Sequence, residues 1–284
     1  MVQTLLIDLN SLYNKIYDDS LFVAREQTLM AELVTVKNGI GYTQRVVPIR
    51  PQATASVVAD GTSFVPEAFG KNSKATLTPA EVMASHDLTW QTLTTDTEDD
   101  IAADSSMELG MAVAEKVDVD LLALLAGFSN GVGAAAASAT IAMLGAAVSI
   151  LTANKARGQY YGVLHPFQWH DIWLELGQPA ATQAFLGDTA NEAMRQYAVQ
   201  MMINTMWFVS SNIGVDANDD AVGGVFIREA LMLDVRDDYD LFVEDRIRTN
   251  DRKLILSGHM GYAVGEVRDE FGVSITTDAT QPTS

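Results

Sequence analysis

The run from Gly39 to Phe128 constrains this chain most. It reads as a long extended hairpin that feeds, without a linker, into one long helix. The outgoing arm is YTQRVVPIRPQATASVVADG (42–61), patterned in alternation and carrying two prolines. A turn-rich tip follows, TSFVPEAFGKNSK (62–74), and the return arm is ATLTPAEVMASHDLTWQTL (75–93). Pro48 and Pro51 remove backbone donors, which an edge strand tolerates and a central strand does not. Asp60-Gly61 and Gly70-Lys71-Asn72 supply turn chemistry. Arms of about 18 residues would reach roughly 60 Å at about 3.3 Å per residue. A small domain cannot bury both faces of such an arm, so the hairpin is expected to lie on a neighbouring copy. Phe64, Val65 and Phe69 are apolar at its tip, with Lys71 and Lys74 beside them. Apolar residues at an exposed tip need a partner surface. These five are therefore the candidate intersubunit contacts, expected to fall near the long helix of the next subunit.

That helix has a readable start. Thr97 suits the cap, and Glu98, Asp99 and Asp100 suit the positive end of the helix dipole. Ile101, Leu109, Val113, Val117, Leu121 and Leu124 recur at helical spacing, with Ser105 and Gly110 as small gaps for close packing. Gly127 and Asn130 to Gly133 end it. About 30 residues give ~45 Å, long for a globular helix.

The other segments read more conventionally. Residues 9–35 form a helical pattern with an irregular apolar face, stopped by Asn38, Gly39 and Gly41. Ile141, Leu144, Val148 and Leu151 mark a second helix, which Lys155, Arg157 and Gly158 suit as a C-terminal end. YYGVLH (160–165) reads as a buried strand, and Pro166 opens a helix carrying Trp169, Ile172, Trp173 and Leu176. Thr189 to Met202 reads as helix, and WFVSSNI (207–213) as strand. Asp216 to Asp220 is an acidic loop, and Gly223-Gly224 permits a tight turn. Three strands close the chain: 225–235, 239–249 and 252–267, with turns at Asp237-Asp238 and Asn250-Asp251. The tail from Thr276 is polar and expected to be loose.

Composition excludes several classes. The chain has 284 residues, 48% of them apolar, enough for a core. It has no cysteine, which removes disulfides, thiolate metal sites and thiol nucleophiles. A net charge of −19 opposes a general grip on nucleic acid, though a container wall can face nucleic acid without holding it. The first ten residues lack a basic region, and Asp8 interrupts their apolar run, so they make a poor signal peptide. No charge falls between Asp120 and Lys155, but Asn130, Gly131 and Gly133 break that stretch. Two helices joined by a glycine-rich turn account for it better than a membrane span.

Catalytic signals are sparse. His165 and His170 are five apart with Pro166 between them, so they do not share a helical face. With Asp171 and Glu175 they define the one candidate metal cluster, and no zinc motif is matched. Without a metal, His165 serves as a cap or a core hydrogen bonder. Adjacent carboxylates such as Asp99-Asp100, Asp219-Asp220 and Glu244-Asp245 point different ways and form no acid–base pair. No phosphate loop or nucleophile elbow occurs. The methionines at 194, 201, 202 and 206 suit adaptable core filling.

The order of these elements resembles a known family, the major capsid proteins of tailed bacteriophages with the Hong Kong 97 fold. KATLTPAEVMASHDLTWQTL is similar to the return strand of that family's extended loop. DDIAADSSMELGMAVAEKVDVDLLALLAGF is similar to its spine helix, AAVSILTANKARGQYYGVLHPFQW to part of its axial domain, and residues 222–275 to its closing strands. Together these cover about residues 38 to 276.

The resemblance implies an α+β chain with an N-terminal arm (1–38), an extended β-hairpin loop (39–94), a peripheral domain with the spine helix (95–130), an axial domain (131–222), and returning strands with a C-terminal tail (223–284). It implies a non-enzymatic subunit that self-assembles into hexamers and pentamers of an icosahedral shell around DNA, built in the bacterial host cytoplasm and found in the virion. Implied partners are further copies, a scaffolding protein, a portal and a decoration protein, with no cofactor, metal or membrane. The arm starts at once, which leaves no room for a long N-terminal scaffolding segment. Some relatives crosslink a loop lysine, but nothing beside Lys71 or Lys74 marks that chemistry. An encapsulin-like nanocompartment shell is the alternative of similar fold. A cytosolic α/β metal-dependent enzyme using His165, His170, Asp171 and Glu175 is the alternative of another class.

Overall fold

The computed structural model describes residues 28–39, 43–49, 55–63, 66, 73–95, 98–177, 201–247 and 250–282. A one-turn helix α1 (Met30–Leu33) leads into strand β1 (Thr35–Asn38). Strands β2 (Arg45–Ile49) and β3 (Ser73–Leu77) form a two-stranded ribbon, and β4 (Ala80–Thr89) follows. A short helix α2 (Trp90–Thr95) precedes the long helix α3 (Glu98–Ala123), which tightens into a 3₁₀ turn over Leu124–Gly127. Then come β5 (Gly131–Gly133), helix α4 (Ile141–Ala153), β6 (Tyr160–Leu164) and helix α5 (Pro166–Gly177). The remainder is strand: β7 (Met201–Met202), β8 (Thr205–Val209), β9 (Asp220–Ile227), β10 (Leu231–Asp245), β11 (Lys253–Glu266) and β12 (Gly272–Asp278).

These strands make two larger sheets. One has four strands in the order β1-β10-β11-β4, and the other six in the order β5-β12-β9-β6-β8-β7. Helix α3, 26 residues and so ~39 Å long, lies along the four-stranded sheet. Its buried residues Leu109, Val113, Val117 and Leu121 are four apart and share a face. Ser105, also buried, meets His86 on β4, with Oγ and Nδ1 2.9 Å apart.

The six-stranded sheet is covered on both faces. Val163 on β6 and Phe226 on β9 join the core of the long helix and its 3₁₀ end. Their neighbours Leu164 and Val225 point the opposite way, under α4 and α5, among Leu144, Leu151, Trp169 and Ile172. Burial on both faces explains why YYGVL reads as a continuous apolar run rather than an alternation.

Several expectations are corrected. The return arm is not one strand. β3 pairs with β2 only from Leu77 opposite Arg45 to Ser73 opposite Ile49, a ladder of about 17 Å. Pro79 then interrupts the chain, since it has no amide to donate. β4 turns away and pairs with β11 instead, from Thr89 opposite Lys253 to Ala80 opposite Tyr262. Gly223-Gly224 is no turn but the middle of β9. A Cβ on Gly223 would stand 2.5 Å from the Val163 carbonyl oxygen, so close sheet packing, not backbone freedom, requires glycine. The tight turn falls instead at 228–230, where the Ala230 N–H donates to the Ile227 carbonyl.

Asp237-Asp238 does not reverse the chain either. β10 runs on, with register shifts between Val235 and Asp237 and between Asp237 and Asp240. The extra residues fit because β11 offers glycines opposite them. A Cβ on Gly261 would meet Asp237 Oδ2 at 2.7 Å, and one on Gly258 would meet the Tyr239 hydroxyl at 2.7 Å. Met201 and Met202 are strand, not helix, and residues 178–200 lie outside the described residues. The start of the tail is not loose: Thr276–Asp278 complete β12, with Thr277 fully buried. Residues 1–27 of the proposed helical arm lie outside the described residues.

Candidate intersubunit surfaces

The base of the ribbon is tied to the four-stranded sheet. Arg45 Nε donates to Asp234 Oδ1 at 2.7 Å, and the Asp234 side chain has no exposed surface. Beside this pair, Leu77 packs with Met232 and Ala263, flanked by Val47 and Val267. Val46, within this base, and Val57 and Val58, beyond it, are exposed. Of the five expected contact residues, Lys74 lies on β3, exposed and opposite Pro48. Phe64, Val65, Phe69 and Lys71 lie outside the described residues.

A second exposed surface lies at the far end of β10 and β11. Phe242 stacks on His259, with ring centroids 4.5 Å apart and 16° between planes. Val243, Tyr239 and, on β4, Met83 are exposed nearby. A cleft of about 310 Å³ opens beside them, lined by Asn38, Gly39 and residues 235–238 with Asp240 and His259. His259 Nδ1 is buried there with no hydrogen-bond partner among the described residues. Burial, and then the Asp240 charge, raise the pKa of the Tyr239 hydroxyl above its ordinary value.

The residues of the metal alternative are placed apart in role. His165 is buried, accepts from the Phe167 N–H at Nδ1 and meets the Phe167 ring edge-on. His170 lies against Trp173. Asp171 Oδ2 accepts from the Ala139 N–H at 3.3 Å, and Glu175 Oε2 from the Ile141 N–H at 2.7 Å, at the start of α4. Glu175 thus supplies an acceptor to a backbone donor that the helix start leaves open, and Asp171 to one just before the cap residue Thr140. Among the described residues no group of three His, Cys, Asp or Glu is arranged to hold a metal ion. Also among them, no helix is long and apolar enough to cross a membrane.

Sequence reasoning missed two carboxylate sites. Asp118, buried on α3, accepts from the Leu29 and Met30 N–H groups at 2.9 and 2.7 Å and from Asn212 Nδ2 at 3.1 Å. It binds the incoming chain and the loop after β8 to the long helix. Glu266 and Asp269 share a hydrogen bond at the joint between the sheets, where the Ser129 N–H donates to Asp269 Oδ1 at 2.7 Å. Burial, then the hydrogen bond and charge of Asp269, push the Glu266 carboxyl up to about 7. For Asp269 burial acts the same way, but the hydrogen bonds from Ser129 and Glu266 outweigh it and hold the group below its ordinary value.

The overall fold is shared with solved structures. The capsid of cyanophage P-SCSP1u superposes with a TM-score of 0.73 at 14% identity, over 92% of this chain and 91% of that one. Mycobacterium phage Che8 gives 0.70 at 14% identity, over 90% and 93%. The head structure of Helicobacter pylori bacteriophage KHP40 gives 0.70 at 13%, over 92% and 94%. This chain has the phage capsid fold. No family model matches it, and no curated protein matches it in sequence. At such identities the fold is what is shared. The capsid of a native GTA particle superposes similarly, with a TM-score of 0.70 at 13% identity.

Proposed function

We propose that this protein is a major capsid protein of a tailed phage, a non-enzymatic subunit that self-assembles into hexamers and pentamers of an icosahedral shell around DNA. The observation that carries this is near-complete coverage in both directions by capsid subunits, at TM-scores up to 0.73. In this reading the four-stranded sheet and α3 are the peripheral domain, the six-stranded sheet with α4 and α5 is the axial domain, and the ribbon is the extended loop. Phe64, Val65, Phe69, Lys71 and Lys74 are its intersubunit contacts. A scaffolding protein, a portal and a decoration protein are its partners, and assembly takes place in the host cytoplasm.

The mechanism is additive burial. Each copy is held by several neighbours, so the apolar area removed from water exceeds that of any single interface. The charge of −19 keeps DNA contact weak, which lets an enclosed genome slide along the wall. The test is to express the chain alone and with its scaffold and image the product. Closed shells by electron microscopy and fast sedimentation are expected. A discrete monomer or dimer at high concentration with scaffold present overturns the reading.

A further inference from the structure

Asn-Gly occurs twice in this chain, at Asn38-Gly39 and at Asn130-Gly131. The dipeptide carries chemistry of its own. The glycine amide nitrogen can attack the asparagine side-chain carbonyl carbon, because glycine has no Cβ to obstruct the approach and turns freely about its backbone. The fold treats the two copies differently.

Asn130 is held. It is half-buried, and its carbonyl accepts from the Ser274 N–H at 2.9 Å and from Ser274 Oγ at 3.2 Å. Gly131 opposes Ser274 in the β5–β12 ladder, and a Cβ added to it would stand 3.1 Å from Ser274 Oγ. Bringing the Asn130 side chain over the Gly131 nitrogen requires rotation of that carbonyl, and so loss of both bonds.

Asn38 is freer. It is exposed and is the last residue of β1, a four-residue strand at the edge of its sheet. The ladder to β10 ends with Asn38 opposite Val235, and the Gly39 N–H donates to the Val235 carbonyl at 3.1 Å. Strand ends open at lower cost than strand interiors. Asn38 and Gly39 both line the cleft of about 310 Å³, which gives the side chain room to swing and admits water.

We propose that Asn38-Gly39 is a self-modification site, where the Gly39 amide nitrogen closes on Asn38 Cγ to a succinimide that water opens to aspartate or isoaspartate. The new bond is from Gly39 N to Asn38 Cγ, and the bond that breaks is from Cγ to the side-chain nitrogen. The Gly39 proton passes to that nitrogen, which leaves as ammonia. Hydrolysis consumes water, and no oxidant or reductant is needed. Each product loosens β1 from β10. The succinimide has no Gly39 N–H to offer Val235. Either acid adds a carboxylate to a cleft lined by Asp237, Asp238 and Asp240, where Arg236 already donates to Asp237 at 3.0 Å. Isoaspartate also lengthens the main chain by a methylene. The dipeptide is thus a slow covalent timer on an edge strand.

The test ages the full-length protein at pH 8, folded and in urea. Both dipeptides are followed by mass spectrometry of peptic digests, made in acid that halts the reaction, and by isoaspartate methyltransferase labelling. In urea the two should convert at similar rates. In the folded protein, conversion at Asn38 should exceed that at Asn130 at least tenfold. Aged protein should melt a few degrees below fresh protein. Asn38→Gln, whose longer side chain closes the ring far more slowly, should melt alike fresh and aged. Equal conversion at both positions in the folded protein, or none at Asn38 where the unfolded chain converts both, overturns the site. Conversion without a fall in Tm, or an equal fall in Asn38→Gln, overturns the link to β1. The reaction needs no neighbouring copy, so these outcomes leave the shell reading where it stands.

Discussion

Arg45 reaches across the edge of the four-stranded sheet to Asp234, 2.7 Å from Nε to Oδ1 and 189 residues away in sequence. The carboxylate is fully buried and the guanidinium partly so. Removing one partner of a buried charged pair costs more than the pair contributes, because the other charge is left in place. Arg45→Met should destabilise the subunit by about 2 kcal/mol, the scale of a hydrogen bond to a charged group. Urea unfolding checks this. The ribbon should also become more readily cleaved by protease, while a distant surface change such as Ser149→Ala leaves cleavage unchanged.

Asp118 gathers three donors from two segments remote in sequence. Asp118→Ala leaves them buried without their acceptor, at a cost of about 3 kcal/mol. Asp118→Asn keeps a carbonyl oxygen for Leu29 and Met30 but turns an amide against Asn212, so it should cost less. Amide exchange at Leu29 and Met30 should accelerate strongly in the alanine variant and weakly in the asparagine one. Equal rates in both would mean that Asp118 does not anchor the incoming segment.

The same residues mark where the sequence was legible. The long helix could be read because Leu109, Val113, Val117 and Leu121 keep one period throughout. The strand at 160–164 could be read because both of its faces are buried. The ribbon was overdrawn, since alternation in ATLTPAEVMASHDL looks the same whether a strand pairs with its neighbour or with residues 253–262. Only Pro79 betrays the break. Asp237-Asp238 looked like a turn because acidic pairs favour turns, and the decisive signal lay elsewhere, in the glycines at 258 and 261 that make room for the bulges. Asp118 carried no local signal at all, because its partners are 88 and 94 residues away. The candidate contact residues stand out in the sequence as apolar groups in a turn-rich stretch, but Phe64, Val65, Phe69 and Lys71 lie outside the described residues.

The glycines give a paired prediction. Gly223→Ala would place its methyl 2.5 Å from the Val163 carbonyl oxygen and 2.7 Å from Leu164 Cδ2, inside the most buried sheet. The backbone cannot yield without breaking that sheet, and the variant should fail to fold. Gly145, in the middle of α4, has nothing within 4 Å of an added Cβ. Gly145→Ala should therefore stabilise the protein by about 0.5–1 kcal/mol through helix propensity. Circular dichroism and thermal melts distinguish the two outcomes, and a destabilised Gly145→Ala would contradict the helical placement.

The Glu266–Asp269 pair predicts a pH dependence. Burial and Asp269 raise the Glu266 carboxyl from an ordinary 4.5 to about 7. Folding therefore favours the protonated form. Below about pH 4.5 the group is protonated folded and unfolded alike, and its contribution is fully present. Between 4.5 and about 7 the unfolded chain ionises while the folded one holds its proton, so stability falls as pH rises. Above that range the penalty is constant. Asp269 acts in the opposite sense and lower down, its contribution being lost as pH falls below the ordinary aspartate range. Glu266→Gln keeps a hydrogen-bond donor for Asp269 and removes the titration. The Tm difference between pH 5 and pH 8 should shrink in this variant, and at pH 8 the variant should melt above the unsubstituted protein. Because the side chain is only partly buried, solvent screens the effect and it should amount to only a few degrees. The pair ties the end of β11 to Ser129 beyond the long helix, so its loosening at high pH should be felt where the two sheets join. Amide exchange at Ser129 should rise with pH beyond the intrinsic rate in the unsubstituted protein and follow the intrinsic rate in Glu266→Gln. An unchanged pH profile in the variant would mean that the raised carboxyl does not govern that joint.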